Sequence, residues 1–283
     1  MKNLKLSFVL AFFSFAIFTF TACEKEATLD ANSDDLSDVE LTENAFELIE
    51  IEEATNFSME MKAEEKTGFA CMTVTIHPNQ NGTFWPHGAT LDFGSVNCTA
   101  PNGHTYRGKI HVTQTAYWNL QGATRTTTFE DFYIDDYKIE GTKVLTNNGL
   151  NNDLHISFTQ TITGGKITTP DGTAFITCNS TRTRELLEGA LTHTYLDNVY
   201  QITGNENGST WNGNTYTKTI TVPLRKSAAC KFPESGKVEF VINDQEPIVL
   251  DYGDGTCDAK ATLSRGDEVL EIILGEKFKA KKE

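Results

Sequence analysis

From residue 67 onward the chain repeats one pattern that few folds can accommodate: short runs of alternating or β-branched residues, each broken off by residues that tolerate positive φ. The runs include MTVTI (72–76), KIHVTQT (109–115), HISFTQTIT (155–163), YTKTITV (216–222), KVEFVI (237–242) and EVLEIIL (268–274). NQNG, NNGLNND, TGGK, PDGT, GNENG and WNGN lie between them. Successive side chains of a strand point to opposite faces, and Gly, Asn and Asp reverse the chain at little steric cost. The pattern therefore predicts an all-β body over residues 67–283, built as an antiparallel β-sandwich or a partly open barrel. It is long enough for one large assembly or for two sub-domains with a boundary near 165–225. Only RELLEGAL, at 184–191, has a spacing that suits a helical turn or two.

The body also repeats itself. Residues 71–98 laid over 230–257, a constant shift of 159, align Cys71 with Cys230, LDFG (91–94) with LDYG (250–253), and Cys98 with Cys257. The shared features suit a fold role: an aromatic ring to bury, a Gly for a turn, and an Asp to accept a nearby amide. The second copy, LDYGDGTCD, adds Asp254 and Asp258 to Asp251, and these spaced acids could supply oxygen ligands to Ca²⁺. Ser95 and Thr99 stand at the matching places of the first copy, so the alternative is a tight acidic turn. A fainter likeness links YIDDYKIEG (133–141) with YLDNVYQITG (195–204) and suggests a duplicated hairpin. The equal separations predict Cys71–Cys98 and Cys230–Cys257 disulfides, with four buried thiols or crossed pairing as alternatives. Cys178 remains without a partner and reads as a core residue.

Lys2 and Lys5 precede the uncharged apolar run Leu6–Phe18, and small Ala22 stands before Cys23. This is the layout of a secretory signal over residues 1–22. Phe20, Thr21, Ala22 and Cys23 resemble a bacterial lipobox, which implies that Cys23 is acylated and becomes the mature N-terminus. Residues 23–66 would then form a lipidated acidic linker. From Glu24 to Lys66, 15 Asp and Glu face three Lys, so most of the chain's net charge of −15 lies in one segment. Such a segment repels itself and is expected to be a flexible, extended tether. Leu41, Ala45, Leu48 and Ile49 could form one face of a short helix within it. The charged start CEKE resembles the signal that sends lipoproteins of Bacteroidota to the cell surface. Lipobox, acidic tether, DFG…C and a closing DYGDGTCD together resemble uncharacterised outer-membrane lipoproteins of that phylum, a likeness that implies an outer-membrane address, surface display and no assigned chemistry. LDYGDG also resembles the turn of polycystic-kidney-disease repeats, though the surrounding residues do not extend that likeness.

The acidity excludes nucleic acid, which needs a basic footprint. The sequence contains no GxSxG, HExxH, CxxC, phosphate loop or dinucleotide fingerprint. Its six histidines lie at no zinc spacing, although His87 and His104 sit in turns that could meet. Glu130, Asp131, Asp135 and Asp136 are the candidates for a paired-carboxylate glycosidase. Trp85, Trp118 and Trp211 fall beside polar turns, where rings stack on sugars, anchor protein partners or cap the core. The expectation is a surface-tethered binding or adhesion module for a glycan or protein and not an enzyme. The alternatives are a periplasm-facing half-barrel holding an apolar ligand and a carbohydrate-active enzyme.

Overall fold

The computed structural model describes residues 33–57, 72–77, 85–101, 103–192 and 194–274. They form one helix, α1 (Ser33–Phe57), and a fourteen-stranded sheet. The strands are β1 (Thr73–His77), β2 (His87–Asp92), β3 (Cys98–Thr99), β4 (Thr105–Gln114), β5 (Thr124–Ile134), β6 (Tyr137–Leu150) and β7 (Ile156–Thr168), then β8 (Phe175–Glu188), β9 (Val199–Ser209), β10 (Thr215–Ser227), β11 (Ser235–Ile242), β12 (Ile248–Asp254), β13 (Lys260–Arg265) and β14 (Glu268–Ile273). Apart from β3, a short bridge onto β4, each strand pairs with its neighbours in chain order. The ladders are antiparallel, and β1 and β14 end the path, so the sheet is an open meander and not a closed barrel.

In such a meander the connections alternate between two rims. The first rim holds the β1–β2, β4–β5, β6–β7, β8–β9, β10–β11 and β12–β13 connections. The second rim holds β2–β4, β5–β6, β7–β8, β9–β10, β11–β12 and β13–β14. One face of the sheet, the inner face, packs on α1. Ala45, Phe46 and Ile49 join a core cluster with Leu91, Ile110, Phe132 and Ile176, and Leu36 and Val39 join a second with Tyr216, Phe240, Leu250 and Leu263. Laid flat, the thirteen strands of the path at about 4.8 Å spacing would span some 60 Å. The helix from Leu36 to Ile49 is only about 20 Å long, so the sheet curls over it. The sheet runs unbroken through 165–225, while the core divides into its two clusters there.

The acidic segment is therefore more than a leash. Part of it is the docking helix that the spacing of Leu41, Ala45 and Ile49 allowed, and its acids belong to a helix that lies on a sheet. Residues 23–32 and 58–66 of the expected tether, and the signal segment with Cys23, lie outside the described residues.

Two local expectations change. Arg184–Glu188 of RELLEGAL is strand, because its backbone is paired on both sides, Glu185 with Ser157 of β7 and with Gln201 of β9. TGGK and GNENG lie inside β7 and β9 instead of between strands. A Cβ on Gly208 would sit 1.8 Å from the Thr177 carbonyl oxygen, and one on Gly165 would sit 2.5 Å from Cys178 Sγ. These glycines permit close approach and a bulge within long strands.

The LDxG repeat holds at the level of the turn. Asp92 Oδ1 accepts the Gly94 N–H (2.8 Å) and Asp251 Oδ1 accepts the Gly253 N–H (3.0 Å). Gly94 and Gly253 have φ of 79° and 95°. Phe93 is buried against Tyr106 and Phe132, and Tyr252 packs on the second cluster. The copies are not rigid duplicates, because β2 ends at the second rim and β12 at the first. Asp135 and Asp136 make the two-residue β5–β6 turn with φ of 48° and 67°, whereas Tyr195–Asp197 is a 3-10 turn, so the fainter likeness is not a repeated hairpin. The Cys230–Cys257 disulfide joins two first-rim connections. Cys98 is disulfide-bonded as well, and Cys71 lies outside the described residues.

Candidate functional site

The inner face carries two rows of side chains that an ordinary β core would not contain. One row of directly opposed residues runs Val112, Thr127, Lys143, Ile162, Ser180, Glu206, Lys218, Phe240. Its polar members are buried, with Thr127 and Lys143 at 0 % exposure and Glu206 at 3 %. The next row toward the first rim runs His87, Gln114, Arg125, Leu145, Gln160, Arg182 and is also largely polar. The inner face is thus apolar toward the second rim and polar toward the first, with α1 crossing both halves.

Glu206 is the hub. Tyr216 Oη donates to its Oε1 (2.6 Å), the Thr42 hydroxyl of α1 reaches the same oxygen (3.0 Å), and Arg182 Nη2 lies 3.6 Å from Oε2. Burial, reinforced by the charge of Glu206, pushes the Tyr216 phenol far up, so it stays a neutral donor. Cys178 is buried beside them, and burial first, then Glu206, raises its thiol well above the ordinary range, which makes it inert as a nucleophile. Thr42, Cys178, Arg182 and Glu206 line a cavity of about 10 Å³ together with Glu47, Gln160, Ser180 and Arg184. That volume holds about one water, for which the buried Gln160 Oε1, without a protein partner, is an acceptor. An apolar ligand on this face would have to displace α1.

Nearer the second rim, Asp35 accepts Thr210 Oγ1 (2.7 Å) and Asn214 Nδ2 (3.0 Å), and Asp38 accepts the Trp211 N–H (3.1 Å). Burial, with smaller contributions from Asp35 and Asp34, raises Asp38 to about 6. The folded protein therefore holds this proton more tightly than the unfolded chain, and the stability it contributes is present below about pH 4 and lost as pH rises through about 6. Asp38→Asn is expected to stabilise the protein at pH 7.5 by about 1 kcal/mol after allowance for solvent screening, and to make no difference at pH 4. Thermal melts of both proteins at the two pH values check this, and equal differences at both would overturn it.

The tryptophans do not share one face. Trp85 and Trp118 are at the first rim and Trp211 is at the second. Trp85 is 4.0 Å from the His87 ring and 5.0 Å from Tyr117. Trp118 stacks on Phe158 at 5.6 Å with Arg125 over it at 5.1 Å. Trp211 packs against the first core cluster, with Tyr137 at 6.2 Å. Each ring is engaged by the protein in the manner of a core cap. His87 and His104 are on opposite rims and do not meet.

The acids are locally committed too. Asp251 pairs with Lys237 (2.9 Å), Asp254 accepts the Thr256 N–H and hydroxyl, and Asp258 accepts the Lys260 N–H. Burial tends to raise Asp251, but Lys237 and the Gly253 amide outweigh it and hold the group low. The three do not converge. Among the described residues the one group of three metal-ligating side chains is Cys230, Glu234 and Cys257, and two of these sulfurs are joined to each other. Glu130 is held low by Lys109 and then His111, and Asp136 by Asn97 and Arg107. At Asp135 burial opposes, but the Thr105 amide and His104 prevail. None of the three has the raised pKa of a general acid.

What sequence reasoning missed is the first rim itself. Tyr117, Leu120, Leu150, Leu154, Leu191 and Leu196 are exposed there, from 48 % at Tyr117 to 99 % at Leu191. They come from the adjoining β4–β5, β6–β7 and β8–β9 connections and, for Leu150, from the end of β6. Asn147 Nδ2 donates to the Trp118 carbonyl (2.7 Å) and Gln121 to that of Asn148 (2.9 Å), which fastens the first of these loops to β6. Single leucines in separate turns leave no periodic signal, and only the meander gathers them. No protein-family model, curated protein or solved structure matches the chain.

Proposed function

We infer that the chain is a cell-envelope lipoprotein, held by acylated Cys23 to the outer membrane at the cell surface, whose β body is a binding or adhesion module that presents its first rim to a protein partner. The observation that carries this is the gathering of six exposed large apolar side chains on one rim. The remaining exposed ones, Val96, Phe175, Val222, Val269 and Ile273, are scattered over the second rim, β10 and β14. An apolar patch ringed by polar loops is the usual mark of a protein interface. Leucine tips beside an exposed Tyr117 suit a protein better than a glycan, because the half-buried tryptophan rings that would stack on sugar already pack on protein neighbours.

The anchor and the rim fit together. The first turns of α1 bond the β9–β10 connection, so the lead from Cys23 arrives at the second rim. Ser33 stands ten positions beyond Cys23, a reach of about 35 Å at most. The fourteen-residue β6 is itself about 45 Å long. A body tethered in this way directs its first rim away from the bilayer.

Photo-crosslinking in the native host tests the reading. A crosslinkable residue at Leu154 or Leu191 is expected to trap one discrete protein, and the same residue at Val222 is expected to trap none. Cys23→Ser is expected to move the chain from the membrane to the soluble fraction. Equal crosslinking at rim and control positions would sink the rim assignment, and membrane retention of the Ser variant would sink the anchor.

A further inference from the structure

The outer face of β1, β2, β4 and β5 carries a chain of polar contacts unrelated to the rim or to the inner face. His77 Nε2 lies 2.8 Å from Thr90 Oγ1, and that oxygen lies 3.0 Å from His111 Nδ1. His111 Nε2 is 3.0 Å from Glu130 Oε2, and the other carboxylate oxygen pairs with Lys109 at 3.1 Å. Register produces this arrangement. Thr90 stands directly opposite His111, Lys109 directly opposite Glu130, and His77 lies two pairs beyond the Thr75–Thr90 pair along β1, at the next position on the same face.

The donor pattern is constrained. A carboxylate only accepts, so His111 carries a proton on Nε2, toward Glu130, and when the ring is neutral the lone pair of Nδ1 faces Thr90. A ring held by a carboxylate on one nitrogen, with the other free to ligate, is the arrangement found behind metal-bound histidines. His77 reaches the same point from the exposed edge strand.

We propose that His77 and His111 form a two-imidazole site for a borderline divalent transition-metal ion, Zn²⁺ or Cu²⁺, at the point where both ring nitrogens now converge on the Thr90 hydroxyl. Two nitrogens at 2.8 and 3.0 Å from one oxygen are no more than 5.8 Å apart. An ion bound at about 2.0–2.1 Å needs them within about 4.2 Å. Rotation of the exposed His77 ring closes the difference, and an exposed imidazole exchanges its tautomer through water. The Thr90 hydroxyl and solvent complete the coordination, and Glu130, fixed by Lys109, orients His111 from behind. Imidazole ligands suit zinc and copper and do not suit calcium or magnesium. With two protein ligands the site is open and exchangeable, unlike a buried structural zinc centre.

Zn²⁺ or Cu²⁺ titrated into the purified full chain at neutral pH, followed by calorimetry, tests the site. One equivalent is expected to bind, and His77→Ala and His111→Ala are each expected to abolish it at concentrations that saturate the parent. Glu130→Gln is expected to weaken binding about tenfold or more, as happens when the carboxylate behind a metal-bound imidazole is lost. His104→Ala, at the second rim, is expected to change nothing. Cu²⁺ bound to the parent is expected to show coupling to two nitrogens by electron paramagnetic resonance, and to one in either His variant. Absence of stoichiometric binding, or binding that survives in the His77→Ala/His111→Ala double variant, overturns the proposal. The side chains are exposed and the variants are expected to fold, which circular dichroism checks directly.

Discussion

Phe46→Ala is expected to lower the unfolding free energy by about 3–5 kcal/mol, as for other buried Phe truncations. Phe46 is 1 % exposed, meets Phe129 edge to face at 6.2 Å between centroids, and joins Ala45 and Ile49 against the inner faces of β1–β8. Truncation removes the largest buried side chain among the described residues of α1 and leaves a void between helix and sheet. It also loosens the link between two halves of a sheet whose core is split, since α1 is the element common to both clusters. Urea unfolding measures the loss, with Leu191→Ala, at a fully exposed position, as a control expected within about 0.5 kcal/mol. Were α1 merely part of a spacer that visits the sheet, the Phe46 variant would lose under about 1 kcal/mol and unfold with an unchanged denaturant slope.

The all-β body was legible because alternation and turn chemistry are local. Thr73–His77, Ser235–Ile242 and Glu268–Ile273 are strands where the runs predict them, and Asp171 and Gly172 turn β7 into β8 as their types suggest. Asp92 and Asp251 close their turns in the same way because the motif is complete within four residues. Glycine is ambiguous, since one that reverses the chain and one that admits a neighbouring carbonyl look alike in sequence. Gly165 and Gly208 have the sequence surroundings of turn residues, yet they lie inside β7 and β9.

Charge misled in the opposite direction. Asp and Glu in a run predict repulsion and extension, but Asp35, Asp38 and the helix that carries them find Thr210, Asn214, Trp211 and the polar rows of the sheet more than 160 residues away. Tertiary partners at that distance leave no mark in the segment itself. The His77, Thr90 and His111 contact fails the same test: 34 residues separate the histidines, and only the β1–β2–β4 register brings them to one hydroxyl.

Glu206→Ala is expected to be comparably damaging, at about 3–5 kcal/mol, although it removes a charge from the middle of a core. Replacing a buried ion pair on both sides by apolar residues can be neutral, but deleting one member removes the charge that faces the other. Here the Tyr216 hydroxyl loses its short bond and the Arg182 guanidinium its facing carboxylate, while the Thr42 hydroxyl keeps the Val39 carbonyl, in a space that holds about one water. Glu206→Gln keeps an acceptor for the two hydroxyls and gives up only the charge facing Arg182, so it is expected to cost less, about 1–3 kcal/mol. Tyr216→Phe alone is expected to cost about 1–2 kcal/mol, and combined with Glu206→Ala it is expected to add less than its own value, because the bond it breaks is already gone. Urea midpoints for the three single variants and the double variant decide the matter. Strict additivity would mean that Glu206 and Tyr216 do not act as one network, and a neutral Glu206→Ala would mean that water reaches Arg182 freely beneath α1.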